Sequence, residues 1–382
     1  MRLASFNVEN LFARAVAMNQ AKPAEGRAAL EGFAAFNALI AKPAYADADK
    51  AEMARLLTAL GLLTEDNAEF VRLRRNRGEF LVRRRPGGAK TVVLDIVAEG
   101  RGDWTGWMEL EREPVDDLSM RLTARVIADV GADVIGVVEA ESRPALKAFN
   151  DAVLTLEGGT AYRHVMLIDG NDPRGIDCAI MTRQDFPIAS MCSHVDTVDA
   201  KGTVFSRDCP EYHLKTPGGG RLVVLVNHFK SKGHGSQAEN DAKRRRQAEA
   251  AARIYRRLRD DGVEDVAVLG DFNDTPAEAA ADPLFPLFDG TGLKDVSELP
   301  GHDDGGRPGT FGGSTAANKF DYILLSPALQ GKARASGIFR KGMWPGVRPR
   351  KWEVYPEIDP KLGGEEIHAA SDHGAVWVDL DM

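Results

Sequence analysis

The chain has 382 residues, 43% of them hydrophobic and 28% charged, with a formal net charge of −8 at pH 7. It can bury the core of one large α/β domain with insertions, or of two domains, and its acidic balance argues against a protein that coats nucleic acid. No apolar stretch reaches bilayer length, and three cysteines without a CxxC pair argue against a disulfide framework.

The N-terminus, MRLASFNVENLF, alternates apolar and polar residues and has no continuous apolar stretch. It reads as a first strand, Arg2 to Val8, rather than a signal peptide, so the cytoplasm is the expected location. Residues 13–117 differ in character and read as an insertion. Two helices are predicted there, at Gly26–Ala41 and Ala48–Leu62. They precede a basic segment, Arg72 to Arg85, that reads as hairpins or a meander turning at Asn76-Arg77-Gly78 and Pro86-Gly87-Gly88. A regular rhythm follows. Helices at Asp116–Val130, Arg143–Leu156 and Glu239–Arg259 interleave with strands in VIGVVEAE, Tyr162–Ile168, Asp177–Thr182, a hairpin ending LVVLVNHF, VAVLG, FDYILLS and GAVWVDL. A smaller insertion is expected at 342–364. The pattern predicts an α+β fold, a mixed-sheet sandwich with helices outside.

Polar residues recur where these strands end. Asn7 and Glu9 follow the first strand, Glu139 ends VIGVVE, and Asn227 and His228 end LVVLVNH, with Lys230 just beyond. Asp271 and Asn273 follow VAVLG, Asp321 opens FDYILLS, and Asp372-His373 precedes GAVWVDL. If strand geometry persists through Phe272, Asp271 and Asn273 point the same way. Asp274 and Thr275-Pro276 read as the start of a helix. Asp321 and Asp372 could equally cap turns, and His228 alone on an apolar strand reads as a core histidine. Glu139 after five apolar residues needs a partner. Oxygen ligands of the Glu and Asn type favour Mg²⁺ or Mn²⁺ over Zn²⁺, and the whole set suits phosphoester hydrolysis.

The motifs SFNVENLF, ADVIGVVEAES, PRGIDCAIMTR, VNHFKSKG, RRRQAEA, VLGDFNDTP, FDYILLS and SDHGAV resemble, in family order, the endonuclease/exonuclease/phosphatase superfamily of DNase I-like and AP-endonuclease-like enzymes. NVENLF, NHFKSK and GDFND most resemble its bacterial extracellular-nuclease-like members. The resemblance implies one domain over 1–382, a four-layer sandwich of two packed mixed sheets flanked by helices. It also implies Mg²⁺- or Mn²⁺-dependent phosphodiester hydrolysis, with nucleic acid as substrate. Glu139 and Asn7 then correspond to metal ligands, with Asp372 near a second metal position. By the same resemblance, Asp271 is expected to orient or deprotonate the water, Asn273 to meet the scissile phosphate, and His373 to be the catalytic histidine bonded to Asp321. His228 matches a second histidine, and Arg174, Lys230 and Asn227 fall at phosphate-facing positions. Val138 stands where the family often has Gln. A small or lipid-linked phosphoester is the alternative substrate, and a binding protein of the same fold the alternative class. The basic segment offers a surface for a nucleic-acid backbone or is one solvated face of a sheet.

Overall fold

A computed structural model describes residues 1–11, 13–18, 20, 23–86, 91–114, 116–172, 174–233, 235–276, 279–347 and 351–382. The chain divides into two compact units, Met1–Phe12 with Val115–Met382, and Ala13–Pro114. Among the described residues no helix is long and apolar enough to cross a membrane.

The larger unit holds strands β1 (Arg2–Leu11), β2 (Val134–Ala140), β3 (His164–Leu167), β4 (Asp177–Thr182), β5 (Ile188–Cys192), β6 (Glu211–Lys215) and β7 (Arg221–His228). They are followed by β8 (Asp265–Asp271), β9 (Lys294–Asp295), β10 (His302–Asp303), β11 (Asp321–Leu325), β12 (Ala333–Phe339) and β13 (Ala375–Leu380). One sheet runs β10-β12-β13-β1-β2-β4-β3 and the other β5-β6-β7-β8-β11-β9. Both are mixed. β1 pairs parallel with β2 and β7 with β8, while β4, β11 and β13 run antiparallel to their neighbours.

Alternation sorts the side chains into layers. Leu3, Val138, Ile180, Val224, Val226, Leu269, Ile323 and Val378 fill the space between the sheets. On the outer face of the first sheet, Phe6, Ile135 and Val137 pack with Leu122, Val126 and Ile127 of helix α1 (Asp117–Val130). On the outer face of the second, Val223, Leu225, Val266 and Val268 pack with Ala248, Ala251, Tyr255 and Leu258 of helix α2 (Gln237–Asp260). The result is the expected four-layer sandwich. Asp116 starts α1 by accepting from Ser119 N, and Gly131, at φ 61°, ends it. Ser236 and Glu239 form a capping box that starts α2.

The predicted helix over Arg143–Leu156 is a helical run with a π turn at Phe149–Val153. Among the described residues, Thr275 and Pro276 are not helical. The described residues 279–284 form turns, and a short helix begins only at Phe285. The described part of 340–374 runs through short 3₁₀ turns at Pro356–Ile358, Pro360–Leu362 and Glu366–His368.

The smaller unit has its own core of Phe33, Phe36, Met53, Leu57, Phe80, Trp104 and Met108. Its helices, Pro23–Ile40 and Asp47–Ala59, lie where periodicity predicts them. The expected hairpin at Asn76-Arg77-Gly78 does not form. Val71–Arg77 pairs instead with Thr105–Leu110, and Leu81–Arg84 with Val93–Ile96. The turn expected at Pro86-Gly87-Gly88 lies largely outside the described residues.

Candidate active site

The parallel pairs β1/β2 and β7/β8 bring their C-terminal ends to the same edge of the sandwich as the N-terminal starts of antiparallel β11 and β13. That is why sequence-distant polar residues meet. Their hub is one atom, Asp271 Oδ2. Asn7 Nδ2 and Asn273 Nδ2 each donate to it at 3.1 Å. His228 Nε2 lies 3.7 Å away and His373 Nε2 3.8 Å. Glu139 joins through Asn7 Nδ2, which donates to its Oε1 at 3.2 Å, and through His228 Nε2 at 3.6 Å. His373 Nδ1 meets Asp321 Oδ2 at 2.7 Å.

Simple alternation does not explain every member. Val137 faces α1 and Val138 faces the space between the sheets, so a regular strand would send Glu139 outward. Instead β2 bulges against β4 at this residue, and Glu139 takes φ 68°. Glu9 (φ 50°) and Asn273 (φ 53°) are likewise left-handed. Asn273 therefore meets Asp271 because the chain kinks, not because the strand continues. Gly270 is required for another reason, since a Cβ there would lie 1.9 Å from the Asn227 carbonyl oxygen.

The two histidines differ in charge. Burial lowers the His228 pKa well below its ordinary value, and Arg207 and Arg174 push it further down. His228 is therefore neutral. Burial also opposes charge on His373, but Asp321, Asp372 and Asp271 outweigh it and hold the ring protonated well above its usual range. Burial raises the Asp271 carboxyl to about 7, with His373 opposing and Asp321 and Glu139 assisting. Environments that separate the pKa values of neighbouring groups divide acid from base roles.

Asp372 lies at the rim. Its N–H donates to Glu9 Oε2 at 3.1 Å, and its carboxylate lies 3.7 Å from His373 Nε2. Arg174 donates to both oxygens of Asp172, at 2.9 and 2.7 Å. Burial opposes charge on Lys230 and, with Arg174 and Arg207 nearby, lowers its pKa to about 8. The structure does not bring Asn227 to the cluster. It follows Val223 and Leu225 on the α2 face, and its Nδ2 donates to Leu225 O at 3.4 Å.

Two arginines escaped sequence reading. Arg207, 1% exposed, lies 3.2 Å from Asp172 and donates to the Phe229 carbonyl, which Asn273 Nδ2 also reaches. No spacing in FSRDCPEYHL marks it. Arg244 belongs to the basic run Lys243–Arg246 of α2, yet it is fully buried. It donates to Asp274 at 3.0 Å and to Lys230 O at 3.0 Å. Asp274 thus anchors a loop instead of capping a helix, and Lys232 pairs with it at 2.8 Å.

A sequence model of the Endonuclease/Exonuclease/phosphatase family matches residues 94–296, just over half of the chain. The chain belongs to the endonuclease/exonuclease/phosphatase family. Members of this family are hydrolases that act on phosphoesters. No curated protein matches the chain. Among solved structures, it is similar to a family member from Bacteroides thetaiotaomicron at 19% identity and TM-score 0.48, covering 69% of this chain and 89% of that one. It is also similar to the mannosyl-6-phosphatase of that organism, at 18% identity and TM-score 0.48 over 69% and 91% of the two chains. A third similar structure is truncated TDP2 from Caenorhabditis elegans, at 18% identity and TM-score 0.45 over 68% and 88%.

The carboxylate oxygens of this cluster suit a hard divalent cation. Asp271 and Asp321 stand with protonated His373 in one cluster whose polar atoms lie within 4.8 Å, and Glu139 adds a third carboxylate beside them, while Asn7 Oδ1 accepts from Glu9 N at 3.0 Å. Buried like charges so close favour a compensating cation, and the Asn7 amide bridges two of these carboxylates.

Proposed function

We propose that this chain is a Mg²⁺- or Mn²⁺-dependent phosphodiesterase acting on nucleic acid. The observation that carries the reading is the convergence of Asn7, His228, Asn273 and His373 on Asp271 Oδ2. In this reading the family domain is Met1–Phe12 with Val115–Met382, and Ala13–Pro114 is inserted into it.

Glu139 and Asn7 would hold the metal, with Asp372 near a second position, and a bound divalent cation would polarise the phosphoryl oxygen and neutralise developing charge. The Asp271 carboxylate aligns the attacking water and takes its proton; a carboxyl near neutrality suits that task. Asn273 fixes the phosphate and, through Asp271, the water. Protonated His373, oriented by Asp321, offers positive charge to the pentavalent phosphate. Neutral His228 adds an N–H donor. Arg174 and Lys230 draw the anionic substrate to the edge.

A small or lipid-linked phosphoester is the second reading, and one observation favours it. The basic segment of the smaller unit spends its charge internally. Arg72 pairs with Glu111, Arg74 with Glu109, Arg75 and Arg83 with Asp66, and Arg84 with Asp95.

Purified protein assayed on plasmid, oligonucleotides and bis-p-nitrophenyl phosphate separates these readings. Cleavage of nucleic acid that needs Mg²⁺ or Mn²⁺, stops with EDTA and is lost in Asp271→Ala supports the nuclease. Turnover of the small diester with no nucleic acid cleaved in any form supports the second reading. No turnover of any phosphoester would leave only a binding protein.

A further inference from the structure

Along the edge of the second sheet formed by β5, a thiol, two imidazoles and a guanidinium surround one buried carboxylate. β5 pairs antiparallel with β6, and the register sets Cys192 opposite Glu211. Glu211 is 1% exposed. Its Oε1 lies 2.5 Å from His194 Nε2, and its Oε2 lies 3.2 Å from His213 Nε2. Cys192, His194 and Glu211 each present a ligand atom within 4.8 Å of the other two.

The hydrogen bonds assign the roles. Arg221 donates to His213 Nδ1 at 2.9 Å, so His213 carries its proton on Nε2 and donates it to Glu211 Oε2. That leaves Oε1 turned toward His194 and Cys192. A carboxylate held on one oxygen by a second ring of partners is how ligating carboxylates are oriented. Arg257 also donates to Oε1. Its guanidinium is half exposed and has a second, exposed carboxylate, Asp261, at 3.5 Å, so it keeps an ionic partner when a metal takes Oε1.

We propose that Cys192 Sγ, His194 Nε2 and Glu211 Oε1 form a second metal site, for Zn²⁺ or a similarly thiophilic divalent cation. Thiolate, imidazole and carboxylate together select such an ion, whereas the oxygen donors at Asp271 and Glu139 do not. On binding, the Cys192 thiol releases its proton to solvent and its sulfur bonds the metal. His194 gives up the Nε2 proton it donates to Glu211, keeps a proton on Nδ1 alone and ligates through Nε2, while the Arg257 guanidinium moves to Asp261. The bound ion clips edge strand β5 to β6, where no further strand pairs with it among the described residues.

Cobalt is the probe. Metal-stripped full-length protein titrated with Co²⁺ is expected to develop a thiolate-to-cobalt charge-transfer band that Zn²⁺ abolishes and excess Mg²⁺ leaves in place. Cys178 and Cys209 are buried, and Cys192→Ser, an exposed change, is expected to remove the band without altering the circular dichroism. His194→Gln is expected to weaken Co²⁺ binding by about tenfold or more. Absence of the band in the wild-type protein, or its survival in Cys192→Ser, overturns the proposal.

Discussion

His373 comes from the first sheet and joins two carboxylates of the second. Its Nδ1 meets Asp321 at 2.7 Å while its Nε2 faces Asp271 at 3.8 Å. Burial alone would discharge this ring, and Asp321 is the largest influence holding it charged. The imidazolium is therefore present below its raised pKa and lost as pH rises through it. Asp321→Asn should move the alkaline limb of the pH–rate profile to lower pH and reduce the rate at pH 8 by about 10²- to 10⁴-fold. An unmoved limb would remove His373 from the chemistry.

Arg244 ties the Lys230 loop to the Asp274 loop from within the α2 interface. Arg244→Met should leave Asp274 Oδ2 without its buried cation, Lys232 and the Thr275 N–H remaining on Oδ1, and cost about 3–5 kcal/mol. The double variant with Asp274→Asn should recover a large part of that loss, because the buried charge goes with its partner. Denaturant unfolding of the single and double variants measures the coupling, and strict additivity would contradict it.

Asp177, 3% exposed, starts β4 and accepts from Gly170 N at 2.8 Å. Burial raises its carboxyl to about 7, above the value of about 3.9 expected in the unfolded chain. The folded state then holds its proton more tightly. The associated stability is full below pH 4 and is lost as pH rises through 7. Asp177→Asn should raise the melting temperature at pH 8, by an amount equivalent to about 2–4 kcal/mol, and change it little at pH 4. Equal gains at both pH values would disprove the assignment.

Arg83 donates to the carbonyls of Leu62, Leu63 and Glu65 and to Asp66. Arg83→Ala should therefore appear as lost stability, about 2–3 kcal/mol. Neutralising Arg72 and Arg74 together should leave the salt dependence of oligonucleotide binding unchanged. Fluorescence anisotropy across a salt series tests this; a slope reduced by about one per arginine would make them phosphate contacts.

Much of the site was legible because strand ends advertise it. Glu139 and Asp271 sit where an apolar run stops, Asp321 and His373 where one begins, and a charge there needs a partner. Legibility failed where geometry departs from a period of two. Asn227 looked equivalent to His228, yet adjacent strand residues face opposite layers. The bulge at Glu139 leaves no mark in composition. Arg244 lay inside a basic run, and only the packing of α2 shows which of those cations turns inward. The hairpin expected at Gly78 failed because pairing partners thirty residues apart compete with local turn chemistry.

Among the described residues, four non-glycine residues have a left-handed backbone, and three of them, Glu9, Glu139 and Asn273, stand at this one edge. Such conformations cost about 1–3 kcal/mol each, and only Asn tolerates them readily. Glycine at 9 and 139 would relax the backbone and make the molecule harder to unfold. It would also delete two carboxylates from the rim of the candidate site. A directed-evolution screen for heat resistance alone should drift toward these glycines, and a screen for turnover should restore the glutamates.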